Sequence, residues 1–204
     1  MAIQLQKGQK IDLTKGAAGL SKLLVGLGWD EAERSSGGGG GFFSNIFGGS
    51  GGSADIDCDA SVIMVDNNGA KHEVVYFGHL RSSCGSVIHT GDNLTGAGDG
   101  DDEQIIVELN RIPPQVAKLI FVVNIYDCIR RKQDFGLIRN AFIRVDNADT
   151  GEVLAKYNLS EDYAGKTALV VGEIYRYQNE WKFGAIGQGT NDASISELVQ
   201  RLTR

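Results

Sequence analysis

The stretch TALVVGEIYRYQ at residues 167–178, followed after Asn179 by EWKFGAI at 180–186, decides how the chain folds. Within it Tyr175 and Tyr177 alternate with Arg176 and Gln178, and Trp181 and Phe183 alternate with Lys182. A period of two gives a strand one buried and one wet face. Gln178-Asn179 supplies the turn that folds the two strands together. Working outward, short apolar runs of the same kind occupy 60–66, 72–77, 104–110, 117–126, 137–146 and 152–159. Asn67-Asn68-Gly69 joins the first two and signals a hairpin. Eight or so short strands with polar turns predict an all-β chain, a β-sandwich of two packed, mostly antiparallel sheets. Short helical segments complete it, including a C-terminal helix over 194–203. There Ser194 and Glu197 are spaced as a capping box, and Ile195, Leu198, Val199 and Leu202 share one face. Residues 2–13 read as a small hairpin turning at Lys7-Gly8, and 20–29 suit helix or strand equally.

A length of 204 residues with 42% hydrophobic side chains suits a single domain spanning 1–204. Glycine contributes 28 residues, and nine of them fall in an insertion at 35–53, SSGGGGGFFSNIFGGSGGS. Such composition predicts a flexible segment. Its Phe42-Phe43 and Ile46-Phe47 leave two readings open: a loop that docks on a partner or membrane surface, or a loose insertion. The three cysteines form no CxxC pair, which speaks against a disulfide framework or a structural zinc site. The N-terminus lacks a signal-peptide core, and the longest apolar run, Leu119 to Val123, is too short to span a bilayer. A cytoplasmic protein is expected. With 26 acidic against 20 basic residues, a net charge of -6 argues against nucleic-acid binding.

The acids are concentrated. Asp55, Asp57, Asp59 and Ser61 share one face at a strand start, leaving Ile56, Cys58, Ala60 and Val62 for the core. A second segment, GDNLTGAGDGDDE at 91–103, holds five more acids. Neither segment contains a Lys or Arg, so local salt bridges cannot neutralise them. A hard cation can. Calcium takes 6–8 oxygens from carboxylates, amides and backbone carbonyls, whereas magnesium prefers a rigid octahedron and zinc prefers Cys or His. Asp92 to Glu103 spans twelve residues with an acid at each end, but Leu94, Gly96 and Ala97 occupy positions where an EF-hand needs ligands and then glycine.

Other chemistry stays open. A phosphate-cradling loop is contradicted by the missing Lys and by the repulsion of an anion. A pair of catalytic carboxylates is a further reading, though it predicts isolated acids rather than clusters. A metal-dependent hydrolase or phosphoryl-transfer enzyme could use the same acids, with His89 as its acid or base. Arg130-Arg131-Lys132 reads as a strand-end cap, His72 and His79 as surface residues, and Cys58 as inert packing.

In these segments the chain resembles the TerD family of tellurium-resistance and stress-response proteins. The resemblance is carried by IQLQKGQ at 3–9, LGWD at 27–30, DCDAS at 57–61, HTGDNLTG at 89–96 and GDGDDE at 98–103. It continues through NAFIR at 140–144, GEIYR at 172–176 and EWKF at 180–183, nearly the whole chain. It implies a calcium-binding β-sandwich holding two ions, with no established enzymatic activity and a role in tellurite, chemical and phage stress. The expected ligands are Asp57, Asp59, Asp92, Asn93, Asp99, Asp101, Asp102 and Glu103, with loop carbonyls near Leu94 and Gly96. Expected partners are other stress-response proteins, including membrane-associated complexes. The chain departs from the family pattern in its long insertion, in Cys58, and in a tail after Gly187 that lacks the usual glycine-rich ending.

Overall fold

The computed structural model describes residues 2–15, 19–31, 56–91 and 100–204. Among these, twelve strands form two six-stranded sheets. They are β1 (Ile3–Leu5), β2 (Lys10–Asp12), β3 (Lys22–Glu31), β4 (Cys58–Asp66), β5 (Lys71–Val75), β6 (Val87–His89), β7 (Glu103–Glu108), β8 (Val116–Ile125), β9 (Ile138–Asn147), β10 (Val153–Asn158), β11 (Ala168–Tyr177) and β12 (Glu180–Thr190). One sheet runs β1-β10-β9-β3-β7-β6 and the other β2-β12-β11-β8-β4-β5. Among the described residues only the β1–β10 pairing is parallel. The alternation expected in the last hairpin holds on β12, where Trp181 and Phe183 are buried while Lys182 turns outward beside the Tyr177 ring, 4.5 Å from its centroid, but it fails at the end of β11, where Tyr177 is 53% exposed.

The core lies between the sheets. Leu23, Val25, Leu27 and Trp29 of β3 meet Cys58, Ala60, Val62 and Met64 of β4 in one apolar cluster. The face assignment at 55–62 therefore stands for the core side. Residues 20–29, open between helix and strand, fall largely in β3, whose length and Leu/Val alternation suit a central strand. Asn67-Asn68-Gly69 makes the β4–β5 turn, with Gly69 at φ +83° and its N–H donating to Asp66 O at 3.1 Å.

The N-terminal hairpin is not formed. β1 pairs with β10 in one sheet and β2 with β12 in the other, so the Lys7-Gly8 turn carries the chain across the sandwich edge. Gly8 N–H donates to Ala185 O at 2.8 Å and Ala185 N–H to Gln9 O at 2.9 Å, fastening the turn to β12. Crossing lets both Leu5 and Leu13 face the core, while Ile3 stays 51% exposed.

Two helices follow strands. α1 (Cys128–Arg131) comes directly after β8 and contains part of the basic run read as a strand-end cap. α2 (Ile195–Leu202) ends the fold, with Ser194 Oγ accepting the Glu197 N–H at 3.3 Å and Glu197 Oε2 accepting the Ala193 N–H at 2.8 Å. It covers the outer face of the second sheet, where Leu198 packs with Ile63, Val65, Ile120, Val122, Ala168 and Val170 in a separate apolar layer.

Asp192 anchors the start of α2 to its last turn. Its Oδ2 accepts from Arg201 Nε at 2.5 Å and its Oδ1 from Nη2 at 3.1 Å. The Arg201 hydrogen bond holds this carboxyl below the usual aspartate range. A lowered acid contributes stability that is present above its ordinary pKa and lost as pH falls through the folded value. The wild-type melting temperature should therefore drop as pH falls below about 4 more steeply than that of Asp192→Asn. Parallel acid limbs for the two proteins would contradict this role.

Candidate metal centre

Three strand ends meet at one end of the sandwich. β3 finishes at Glu31, β7 starts at Glu103 opposite Leu27, and β4 starts at Cys58. Hydrogen bonds knit them together: Ile56 N–H donates to Glu31 Oε1 at 2.7 Å, Ala60 N–H to Glu103 Oε2 at 2.7 Å, and Trp29 N–H to Asp102 Oδ2 at 2.7 Å. Thus Asp30, Glu31, Asp57, Asp59, Asp101, Asp102 and Glu103 all gather at this end.

They do not point the same way. Glu103 enters the interior, its side chain 1% exposed, 3.3 Å from His89 Nε2. His89 Nδ1 accepts the Gly91 N–H at 3.2 Å, which leaves the ring proton on Nε2, facing Glu103 and Ala60 O. Asp57 and Asp59 lie on the opposite face of β4 from Cys58. Asp59 lines a pocket of about 370 Å³ with Ser61, Asn124, Phe77 and Tyr126.

Asp101 instead folds over the outer face of the first sheet. A Cβ on Gly26 would lie 2.3 Å from its carboxyl carbon, so only glycine leaves it room. Arg144 Nε and Nη2 donate to its two oxygens at 2.7 Å each, and Gln104 Nε2 adds a bond of 3.0 Å. Arg144 Nη1 also donates to Asp146 Oδ2.

No cation within either acidic segment neutralises these acids, but two of them are paired from elsewhere in the fold. The cations come from distant elements, Arg144 of β9 for Asp101 and Arg131 of α1, 3.8 Å from Asp57. A scan confined to neighbouring residues could not find them. Pairing is still incomplete at Asp102. Burial, and after it the charges of Asp30 and Asp101, raise its carboxyl above the usual range against the opposing Trp29 hydrogen bond.

Among the described residues no three His, Cys, Asp or Glu side chains are grouped closely enough to hold one ion. Asp92, Asn93, Leu94, Gly96 and Asp99, together with the 35–53 insertion, lie outside the described residues. Burial, and then the surrounding carboxylates, raise the Cys58 thiol well above its ordinary value, as inert packing requires. His79 is exposed and bonded to Glu73 at 2.9 Å.

The TerD domain matches residues 1–202. The chain belongs to the TerD family. Over 98% of its length this TerD chain is 58% identical to "Stress response protein SCP2" of Bacillus subtilis (strain 168), covering 99% of that relative. It is 43% identical to "Tellurium resistance protein TerD" of Serratia marcescens over 98% of this chain and 97% of the relative. General stress protein 16U of Bacillus subtilis is 44% identical over 93% of this chain and 91% of the relative. Among solved structures, the protein SAV2460 superposes with a TM-score of 0.69 at 25% identity, over 91% of this chain and 99% of that one. A TerD homologue from Streptomyces coelicolor A3(2), SCO6318, shares the fold with a TM-score of 0.66 at 22% identity, over 87% of this chain and 95% of that one. The recognised resemblance and the sandwich are thus both shown, and the relatives are named for resistance and stress response.

Proposed function

We propose that this protein is a calcium-binding, non-enzymatic stress-response module of the cytoplasm. In this reading it contributes to tellurite and chemical-stress resistance by engaging other stress-response proteins. The observation that carries the reading is Asp102. Its carboxyl is buried beside Asp30 and Asp101, next in sequence to the other acids of the 91–103 segment, and its charged form is disfavoured. A bound hard cation relieves that cost. The donors fit it, being oxygens rather than thiolates or imidazoles.

Asp102 would hold one ion with Asp92, Asn93, Asp99 and the carbonyls of Leu94 and Gly96, while Asp57 and Asp59 would serve a second. Asp101 joins only if Arg144 releases it. When bound, calcium supplies charge neutralisation and cross-linking of the strand ends. The chain's own part is to keep the carboxylates desolvated and the strand ends fastened. The hydrolase reading loses its proton carrier, because His89 has a fully buried side chain with both ring nitrogens engaged within the fold. Among the described residues no helix is long and apolar enough to cross a membrane.

Calcium titration by calorimetry, paired with melting curves, tests the reading. At a hundred times Kd, binding stabilises the fold by about 2.7 kcal/mol, a rise of roughly 5–10 °C for a chain of this size. Magnesium at equal concentration should give less. No heat of binding together with superimposable melts in calcium and in chelator would overturn it.

A further inference from the structure

The outward face of β4 changes character along its length. Ile63 and Val65 lie in the apolar layer under α2, whereas Asp59 and Ser61, earlier on the same face, are polar. Asn124 of β8 stands directly opposite Asp59. All three are nevertheless buried: Asp59 is 5% exposed, Ser61 1% and Asn124 7%. They line the pocket of about 370 Å³ together with Tyr76, Phe77, Tyr126 and the start of α2. Among the described residues the Asn124 amide makes no hydrogen bond, so a buried polar group faces the cavity without a partner. The rim is aromatic. Phe77 is 44% exposed and Tyr126 47%, and Tyr76 meets Phe77 edge-on with centroids 5.4 Å apart. One of these rings already draws a cation, the Arg131 guanidinium lying 5.3 Å from the Tyr126 centroid.

We propose that this pocket binds an alkylammonium group. The ammonium donates to the Asp59 carboxylate and to the Asn124 amide oxygen, and the carbon chain lies against Tyr76 and Phe77. A carboxylate and an amide carbonyl accept hydrogen bonds, and aromatic faces attract positive charge. A cation gains from both, an anion is repelled by Asp59, and a neutral molecule forgoes the charge-assisted bond. The guanidiniums at the rim do not oppose an amine, because Arg130 is paired with Asp127 and Arg131 lies 3.8 Å from Asp57. Small-molecule sites span about 300–1,000 Å³, and this pocket falls at the lower end, which suits a short amine. A free diamine and the lysine side chain of another protein present the same group. Asp59 is also a ligand of the second ion proposed above, so calcium and an amine exclude one another there.

Calorimetric titration in chelator, with 1,4-diaminobutane, with a short lysine-bearing peptide and with neutral 1,4-butanediol, tests the proposal. Saturable binding of either amine without binding of the diol is expected. Binding of the diamine alone assigns the site to a free amine, and binding of the peptide alone assigns it to a protein side chain. Asp59→Asn should weaken binding about tenfold or more, and Asn124→Leu, which keeps bulk and removes the amide, roughly fivefold. Phe77→Ala changes an exposed residue and should cost roughly two- to fivefold; it replaces Asp59→Asn if circular dichroism shows that variant unfolded. Absence of saturable binding by both amines, equal binding of the diol, or unchanged binding in the folded variants overturns the ammonium site. The calcium reading stands or falls separately, on the titration with calcium.

Discussion

Glu103→Ala is expected to lower the melting temperature of the calcium-free protein by about 10 °C, although Glu103 belongs to the acidic segment. The pairing of β5 with β4 begins at Val62, so on that side Ala60 has no strand neighbour. Glu103 and His89 reach across from the other sheet instead. Glu103 Oε2 accepts the Ala60 N–H at 2.7 Å, and His89 Nε2 lies 3.2 Å from Ala60 O. Both side chains are essentially inaccessible to solvent. Truncation to alanine removes the acceptor of a buried N–H and leaves a cavity beside a buried imidazole. Losses of this kind cost roughly 3–5 kcal/mol, and each kcal/mol is worth about 2–4 °C at this length. Glu103→Gln keeps the shape and one acceptor oxygen and should lose less than half as much. Thermal melts in chelator measure both. A Glu103→Ala melt within 2 or 3 °C of wild type would show that the carboxylate does not hold the sheets together.

Leu198→Asp is the second large effect. Leu198 is fully buried and is the member of α2 that closes the apolar layer over Ile63, Val65, Ile120, Val122, Ala168 and Val170. A carboxylate there must either be protonated in an apolar site or pull the helix away. The second route is cheaper, because α2 is only eight residues long and has little stability without packing. Undocking returns the layer to water, and the expected loss is about 4 kcal/mol or more. The melting temperature should fall by roughly 10 °C or more, with new binding of a hydrophobic dye at 25 °C. Leu198→Met, which conserves volume, should stay within about 1.5 kcal/mol of wild type. Dye binding equal to wild type in Leu198→Asp would show that the helix stays docked.

Period-two patterning made most of the sandwich legible. It placed Trp181 and Phe183 inside and set Cys58 and Ala60 on the core face, while the turn residues Asn67-Asn68-Gly69 marked the β4–β5 hairpin. The capping box at Ser194 and Glu197 marked the last helix because a cap is a local device. The failures share one physical origin, contacts made far along the chain. Residues 2–13 alternate like a hairpin, yet nothing local records that Ile3 pairs with Ala155 and Ile11 with Phe183. The acids read as unpaired because Arg144 lies 43 residues from Asp101. Glu103 looked like its acidic neighbours, and only the inter-sheet geometry distinguishes it. Gly26, one of two glycines in β3, was the available clue, since glycine inside a strand marks a close approach. The three short residues of β6 carry too little pattern to be read at all.

The crossing of the first twelve residues also governs the order of events during synthesis. β1 and β2 leave the ribosome well before their partners, β10 and β12, are made. At typical elongation rates of about 5–20 residues per second, β2 waits roughly ten to thirty seconds for β12. Until then the two strands have nothing to pair with, and the edges they will cover do not yet exist. The strap is therefore translated well before it can dock, so completion of the sandwich waits on synthesis of β10 and β12.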